Sequence, residues 1–459
     1  MAIYHRAFSG RTPRLLVLAA FLLCCSASTA TPLDDYVAAP DPAFTYTLAN
    51  QSEKADCATY AYRMASQTWL DASKVDRPLW EHTVLVSVPK EIAYTKAMMF
   101  IGGGDNRKGD DKPSADNGTM EKIAVLTKSI VVEIKQIPNQ PLRFPDEHDD
   151  RYKEKGRVED TMITYGWDKF LKSGDPLWLA RLPMTKAVVR AMDLVQKEHP
   201  KTDGFFVAGG SKRGWTTWTV AAVDKRVIGI APAVIDVLNL APSMQNHKDS
   251  YGFWAPSLND YVDMDIVTRI HTPEFRKLMD IVDPYSYRDR LTMPKYILNS
   301  AGDQFFPTDS WKFYFDGLKE EKYLCYFPNT DHGLNEGAYF RLATFYQALL
   351  AGTPRPKFTW AKNADGSLTV KCGDKPSKVQ LWKAHNPEAR DFRLETLGAK
   401  YESTPMPLTD SGEYTANVTP EEKGWTAFFI ELEFPNAGFP LPFVFTTGTS
   451  ILPDTYPGK

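Results

Sequence analysis

Ser211 lies in the run GFFVAGGSKRGWTTW, residues 204–218, where apolar residues lead into two glycines, a serine and then a pattern able to be helical. This is the layout of a nucleophile elbow, a sharp strand-to-helix turn that lifts a serine hydroxyl clear of a sheet. Gly209 and Gly210 precede the serine. The glycine usual two places after it is replaced by Arg213, with Gly214 next, so the pattern reads G-x-S-x-x-G. Alone, such a turn is a weak signal. A serine hydroxyl is a poor nucleophile at neutral pH, and it needs an imidazole to take its proton and a carboxylate to orient that imidazole. ILNSAGDQFFP places Asp303 just past an apolar run, and CYFPNTDHGL places His332 just past the next one.

The order Ser, Asp, His is that of the α/β-hydrolases. Asp303 is the preferred acid because it precedes His332 by about 30 residues in a strand-end loop. Asp236, at the end of the strand after the elbow helix, is the alternative, and Glu159 or Asp160 is a further option as a general acid. Gly102, Gly103 and Gly104 close another apolar run. They read either as a flexible loop or as backbone that must approach a ligand closely. Acyl transfer passes through an oxyanion that needs preorganised N–H donors, worth about 3–4 kcal/mol for one. The amide of Lys212 and that of Gly103 or Gly104 occupy the positions such donors take.

Positioning these groups requires a sheet. TYAYRMASQTWL and HTVLVSVPK read as an antiparallel strand pair after an irregular stretch over 31–56. Strand YTKAMMFI, helix GTMEKIAVLTK, strand SIVVEIKQIP, helix MTKAVVRAMDLVQKEH and strand GFFVAGG then alternate. That alternation predicts an α/β fold with a mostly parallel sheet covered on both faces. RVIGIAPAVI continues it, residues 239–290 form an aromatic-rich helical insertion, and the sheet resumes at KYILNS. DSWKFYFDGL is expected to be helical, KYLCYF a strand and NEGAYFRLATFYQALLAG a closing helix. The charged stretch 145–160 is expected to be a solvated face. From residue 354 short strands between Gly, Asp and Pro turns predict a sandwich-like all-β domain over 354–459, following a hydrolase domain over 31–353.

Residues 1–30 carry Arg6, Arg11 and Arg14, a short apolar run and the small-residue exit SASTA, the features of a secretory signal peptide. The expected location is secreted or periplasmic, with no stable membrane anchor after cleavage. Losing three arginines and no acids takes the net charge from −3 to −6. With no basic block, nucleic acid is excluded as an expected partner. Cys57, Cys325 and Cys372 remain, enough for one disulfide at most and not spaced as a zinc site. Cys325, in an apolar run, is expected to be a buried thiol.

GGSKRGWTTW, AGDQFFPTDS, the DHGL turn and IGGG together resemble the PhoPQ-activated pathogenicity-related proteins, secreted α/β-hydrolase-like proteins, over essentially the whole chain from the region of Asp34 onward. The resemblance implies the α/β-hydrolase fold and a candidate triad of Ser211, Asp303 and His332, and no metal or organic cofactor. Some carbohydrate esterases share a G-x-S-x-x-G elbow with a basic residue after the serine; by that analogy the Lys212 side chain adds positive charge near the oxyanion, the alternative being a solvent-facing lysine. The expected function is a serine hydrolase acting on an ester or amide of a small molecule or peptide. The family also includes secreted eukaryotic members proposed as extracellular signals, so the alternative is a binding or signalling protein on the same scaffold.

Overall fold

The computed structural model describes residue 1, residues 30–107 and residues 112–457. The signal-peptide reading therefore falls almost wholly outside the described residues. Strands β1 (Thr45–Glu53), β2 (Cys57–Thr68) and β3 (Leu79–Pro89) form an antiparallel meander. They lead into β4 (Lys96–Ile101), β5 (Val131–Ile134), β6 (Gly204–Gly210), β7 (Val227–Ala233), β8 (Lys295–Ser300) and β9 (Lys322–Phe327). The sheet order is β1-β2-β3-β5-β4-β6-β7-β8-β9, and every pair from β5 to β9 is parallel. The α/β-hydrolase fold is thus present, with the elbow strand β6 near the middle.

The centre of this sheet is dry on both faces because its strands are apolar at consecutive positions, as a doubly covered sheet requires. In β6, Phe205 and Val207 face a core shared with the helix Arg181–Glu198 and the elbow helix Lys212–Val223. Phe206 and Ala208 face the opposite core, with the helices Thr119–Thr127 and Gly337–Leu350. Burying each such Phe or Val contributes about 1.5–3 kcal/mol. Together they fix where the end of β6 sits.

Two local expectations are corrected. The stretch 31–56 is not irregular: Thr31 caps a helix Pro32–Ala38 in a capping box with Asp34, Pro32 takes the first turn, and β1 follows. DSWKFYFDGL forms only one tight turn, Ser310–Phe313. Its aromatics are claimed by separate tertiary partners: Trp311 donates to the Thr449 carbonyl and Tyr314 to Asp236.

Downstream come β10 (Phe358–Lys362), β11 (Leu368–Cys372), β12 (Lys378–Asn386), β13 (Glu402–Pro405), β14 (Glu413–Ala416), β15 (Trp425–Phe434), β16 (Phe443–Thr446) and β17 (Ser450–Leu452). β10, β11 and β14 make a small antiparallel sheet. Its inner residues Leu368, Val370 and Tyr414 pack in one core with Phe428, Ile430 and Phe445 of β15 and β16, a sandwich-like arrangement. The second layer is not separate from the main sheet, for β16 pairs with β9 at Thr446 and Leu324. Cys57, Cys325 and Cys372 are free thiols, and Cys325 is fully buried.

Candidate active site

Ser211 sits between β6 and the helix Lys212–Val223 with φ 58° and ψ −128°. A side chain in this region costs roughly 1–3 kcal/mol and persists only where its surroundings impose it. Here the Ser211 amide donates to the Ala233 carbonyl at 2.8 Å, and its carbonyl accepts from the Trp215 amide at 2.9 Å. The displaced glycine also finds its reason. A Cβ on Gly214 would lie 2.8 Å from the Ala233 carbonyl oxygen and 3.0 Å from that of Gly209, while one on Gly209 would meet the Arg213 carbonyl at 2.9 Å. Strand and helix cross too closely for side chains at both positions, so Gly214 does the work of the missing glycine.

Asp303 and His332 come together. His332 Nδ1 lies 2.9 Å from Oδ2 and 3.1 Å from Oδ1 of Asp303, whose side chain is buried. Asp303 also accepts from the Phe305 amide, the His332 amide donates to Gln304, and the Phe305 ring lies against the imidazole at 4.4 Å. Nδ1 facing a carboxylate carries the proton, which leaves Nε2 as the basic nitrogen. That Nε2 is buried and has no hydrogen-bond partner among the described residues, Ser211 included. His332 and Ser211 both line a cavity of about 200 Å³.

Asp236 is placed elsewhere. Its two carboxylate oxygens accept from Tyr314 and Tyr326, at 2.6 and 2.5 Å, while the ring of His332 is bonded to Asp303 and not to it. Complete burial pushes its carboxyl up to about 7 against the lowering effect of the two phenols. It forms part of the wall of a second cavity of about 50 Å³, which Ser211 and Lys212 also line.

The Lys212 side chain neither faces solvent nor reaches free toward the oxyanion position. It is buried, with Nζ 2.9 Å from Glu159 and 3.1 Å from Asp160. Arg213 forks onto Glu159 at 2.8 and 2.5 Å and donates through Nε to the Ile137 carbonyl. Burial works to raise the Glu159 carboxyl, but Lys212 and Arg213 beside it hold it down to about 2. It is therefore a carboxylate at neutral pH and has no proton to give as a general acid. Asp160 accepts from Tyr261 as well as pairing with Lys212. The solvated-face expectation for 145–160 holds for Asp146, His148, Asp150, Arg151 and Lys153 through Lys155, which are exposed, and is corrected for four residues: Glu147 and Arg157 are a buried pair, and Glu159 and Asp160 carry the two cations of the elbow.

The glycine loop is tied into the same network. Gly103 accepts from the Gln136 amide, Gly104 accepts from the Gln140 side chain, and that side chain also donates to Glu159. A Cβ on Gly103 would be 2.8 Å from the Arg213 guanidinium. Both supposed sources of oxyanion donors, the Lys212 amide and the Gly103–Gly104 loop, are therefore braced by one carboxylate. Gln140 and Arg181 were not singled out from the sequence, and Glu159 was considered there as a general acid, not as a brace. A signal existed: two cations in the first turn of a helix oppose its dipole and call for acidic partners. A second brace comes from the C-terminal strands' connection, where the Leu394 amide donates to the Gly302 carbonyl beside Asp303, and buried Arg390 pairs with Asp309 at 2.6 Å.

A strained serine at a strand-to-helix turn, near the end of a parallel sheet and beside a histidine held by a buried acid, defines a hydrolase-like scaffold. The chain belongs to the PhoPQ-activated pathogenicity-related protein family, whose profile matches residues 33–393. Autocrine proliferation repressor protein A of Dictyostelium discoideum is 38% identical over 477 residues, covering 97% of this chain and 94% of its own. Among solved structures, acetyl xylan esterase 1 from a Thermoanaerobacterium species is 14% identical with a TM-score of 0.48, covering 69% of this chain and 93% of that one. An acetyl xylan esterase from a Paenibacillus species is 15% identical with a TM-score of 0.47, covering 66% and 89%.

Proposed function

We propose that this protein is a serine hydrolase that cleaves an ester or amide through an acyl-enzyme on Ser211. The observation that carries the reading is the buried, unpartnered Nε2 of His332, fixed from behind by Asp303, in the wall of a cavity that Ser211 shares. A buried basic nitrogen without a partner is costly unless something occupies it during function.

Ser211 Oγ attacks the substrate carbonyl as Nε2 takes its proton, a step that needs the two within hydrogen-bond reach. The carbonyl oxygen becomes an oxyanion held by the Lys212 amide and an amide of the Gly103–Gly104 loop. Collapse breaks the bond to the leaving alcohol or amine, which departs with the proton from Nε2. Water then attacks the acyl-enzyme, giving a proton to Nε2 and releasing the acid, and Ser211 recovers its hydrogen. Asp303 holds the imidazole in the tautomer this cycle needs. We place the protein outside the cytoplasm, secreted or periplasmic, on the composition of residues 1–30. Its partner in this reading is a small-molecule or peptide substrate.

A second reading, a secreted binding or signalling protein, draws on two observations. Ser211 and His332 make no hydrogen bond, and the Dictyostelium relative is named a proliferation repressor. A fluorophosphonate probe separates the two. The hydrolase is labelled at Ser211 and loses labelling in Ser211→Ala, whereas folded protein left unlabelled beside a reactive control hydrolase supports the binder.

A further inference from the structure

The cavity of about 50 Å³ next to Ser211 holds an unfinished charge. Its walls are mostly apolar, with Trp215, Ile235, Leu240, Met244, Leu258 and Phe306 among them. Most polar groups in the wall are already satisfied. Asp236 is held by two tyrosines, Asp160 by Lys212 and Tyr261, and both ring nitrogens of His247 by the Phe305 carbonyl and the Ala255 amide.

Arg181 is different. It is 2% exposed, lines this cavity and forms no ion pair among the described residues. Its Nη1 donates to the Lys212 carbonyl at 2.8 Å, its Nε has no hydrogen-bond partner among the described residues, and its guanidinium lies over the Trp215 ring at 4.3 Å. Asp160 and Glu159 act on it only through space and are spent on Lys212 and Arg213. Burial lowers its affinity for the proton to about 10, so it stays charged. A buried cation without a paired anion is expensive, and such a group beside a nucleophile is the mark of a ligand site.

We propose that Arg181 receives a carboxylate on the acyl part of the substrate, so that the site takes half-esters or half-amides of short dicarboxylic acids. The inference rests on the hydrolase reading of Ser211. Size sets the upper limit. A water-sized group needs about 10–15 Å³ of such space, so the cavity holds about four non-hydrogen atoms beyond the reacting carbonyl. A –CH2–COO⁻ arm, as in a malonyl group, has that size. The leaving group lies on the other side, in the larger cavity that contains His332, where Nε2 protonates it.

The test uses full-length protein and malonate as the probe ligand, with acetate and butyrate as controls, read by thermal melting. Malonate at millimolar concentration raises the melting temperature by about 2 °C or more, while the monocarboxylates do not. Equal responses to all three acids, or no response to malonate, overturn the inference using unaltered protein alone. Arg181→Met loses the malonate shift, and a shift that survives in that variant also overturns it. Ser211→Ala keeps the shift. The mono-aryl ester of malonate then tests the hydrolase reading separately: malonate binding without hydrolysis of this ester sinks the nucleophile and leaves the Arg181 site standing.

Discussion

Neutralising Glu159 tests whether one carboxylate holds both halves of the proposed oxyanion site. In Glu159→Gln the shape is nearly kept, but the charge that Lys212 and Arg213 share is lost. Those cations hold the carboxyl at about 2 rather than 4.5, an interaction of about 3 kcal/mol at 1.36 kcal/mol per tenfold. The side chain is a third exposed, and screening brings this to roughly 2 kcal/mol. Because the folded-state value is depressed, this contribution is complete above the unfolded value near 4.5 and is lost as pH falls toward 2.

The catalytic effect is separate from stability. Loss of one oxyanion donor costs about 10²–10³-fold in turnover. Loosening of the Gly104–Gln140–Glu159 link should therefore cost about 10- to 100-fold in the rate of Ser211 labelling by a fluorophosphonate, and the same in kcat on an activated ester. KM should move less than about twofold, since Glu159 does not line either cavity next to Ser211. The assay pairs labelling kinetics with a melting curve at pH 7. A folded Glu159→Gln protein with wild-type labelling rate and kcat would refute the bracing role, whatever its melting temperature.

Three further outcomes follow from the geometry. Asp303→Asn should leave the fold intact but lower kcat by about 10³–10⁴-fold through the wrong imidazole tautomer; activity within tenfold of wild type would remove Asp303 from its role. Gly214→Ala drives a methyl to 2.8 Å from the Ala233 carbonyl and should cost about 1–3 kcal/mol in denaturant melts together with Ser211 labelling, so an unaltered melt would mean the strand–helix crossing is looser than described. Asp236, raised to about 7 by burial, favours the folded state fully below its unfolded value near 3.8 and progressively less as pH rises toward 7. Wild type should therefore lose stability relative to Asp236→Asn by a few kcal/mol between pH 4 and 8, and a pH-independent difference would exclude the shift.

The chain's own order carried much of the fold. Consecutive apolar residues in YTKAMMFI, GFFVAGG and RVIGIAPA identify strands buried on both faces, and the strand–helix alternation dictates parallel pairing, because parallel neighbours need a crossover. Small residues on both sides of Ser211 marked the turn, and strand-end positions brought out Asp303 and His332. These are local signals, set by periodicity and turn sterics. The choice between Asp303 and Asp236 was different in kind. Both end strands, and only the packing of Tyr314 and Tyr326 onto Asp236 and of Phe305 onto His332 separates them. DSWKFYFDGL illustrates the same limit, since its aromatics are drawn to partners more than a hundred residues away in one direction and toward Asp236 in the other. The charge network of Glu159, Lys212, Arg213 and Gln140 joins residues up to 73 positions apart, and lone Arg181 is defined by which carboxylates are already taken. Sequence thus determined the elements and the candidate residues at their ends; which charges meet, and which has no ion pair among the described residues, was decided by tertiary packing, because burial and pairing depend on neighbours in space.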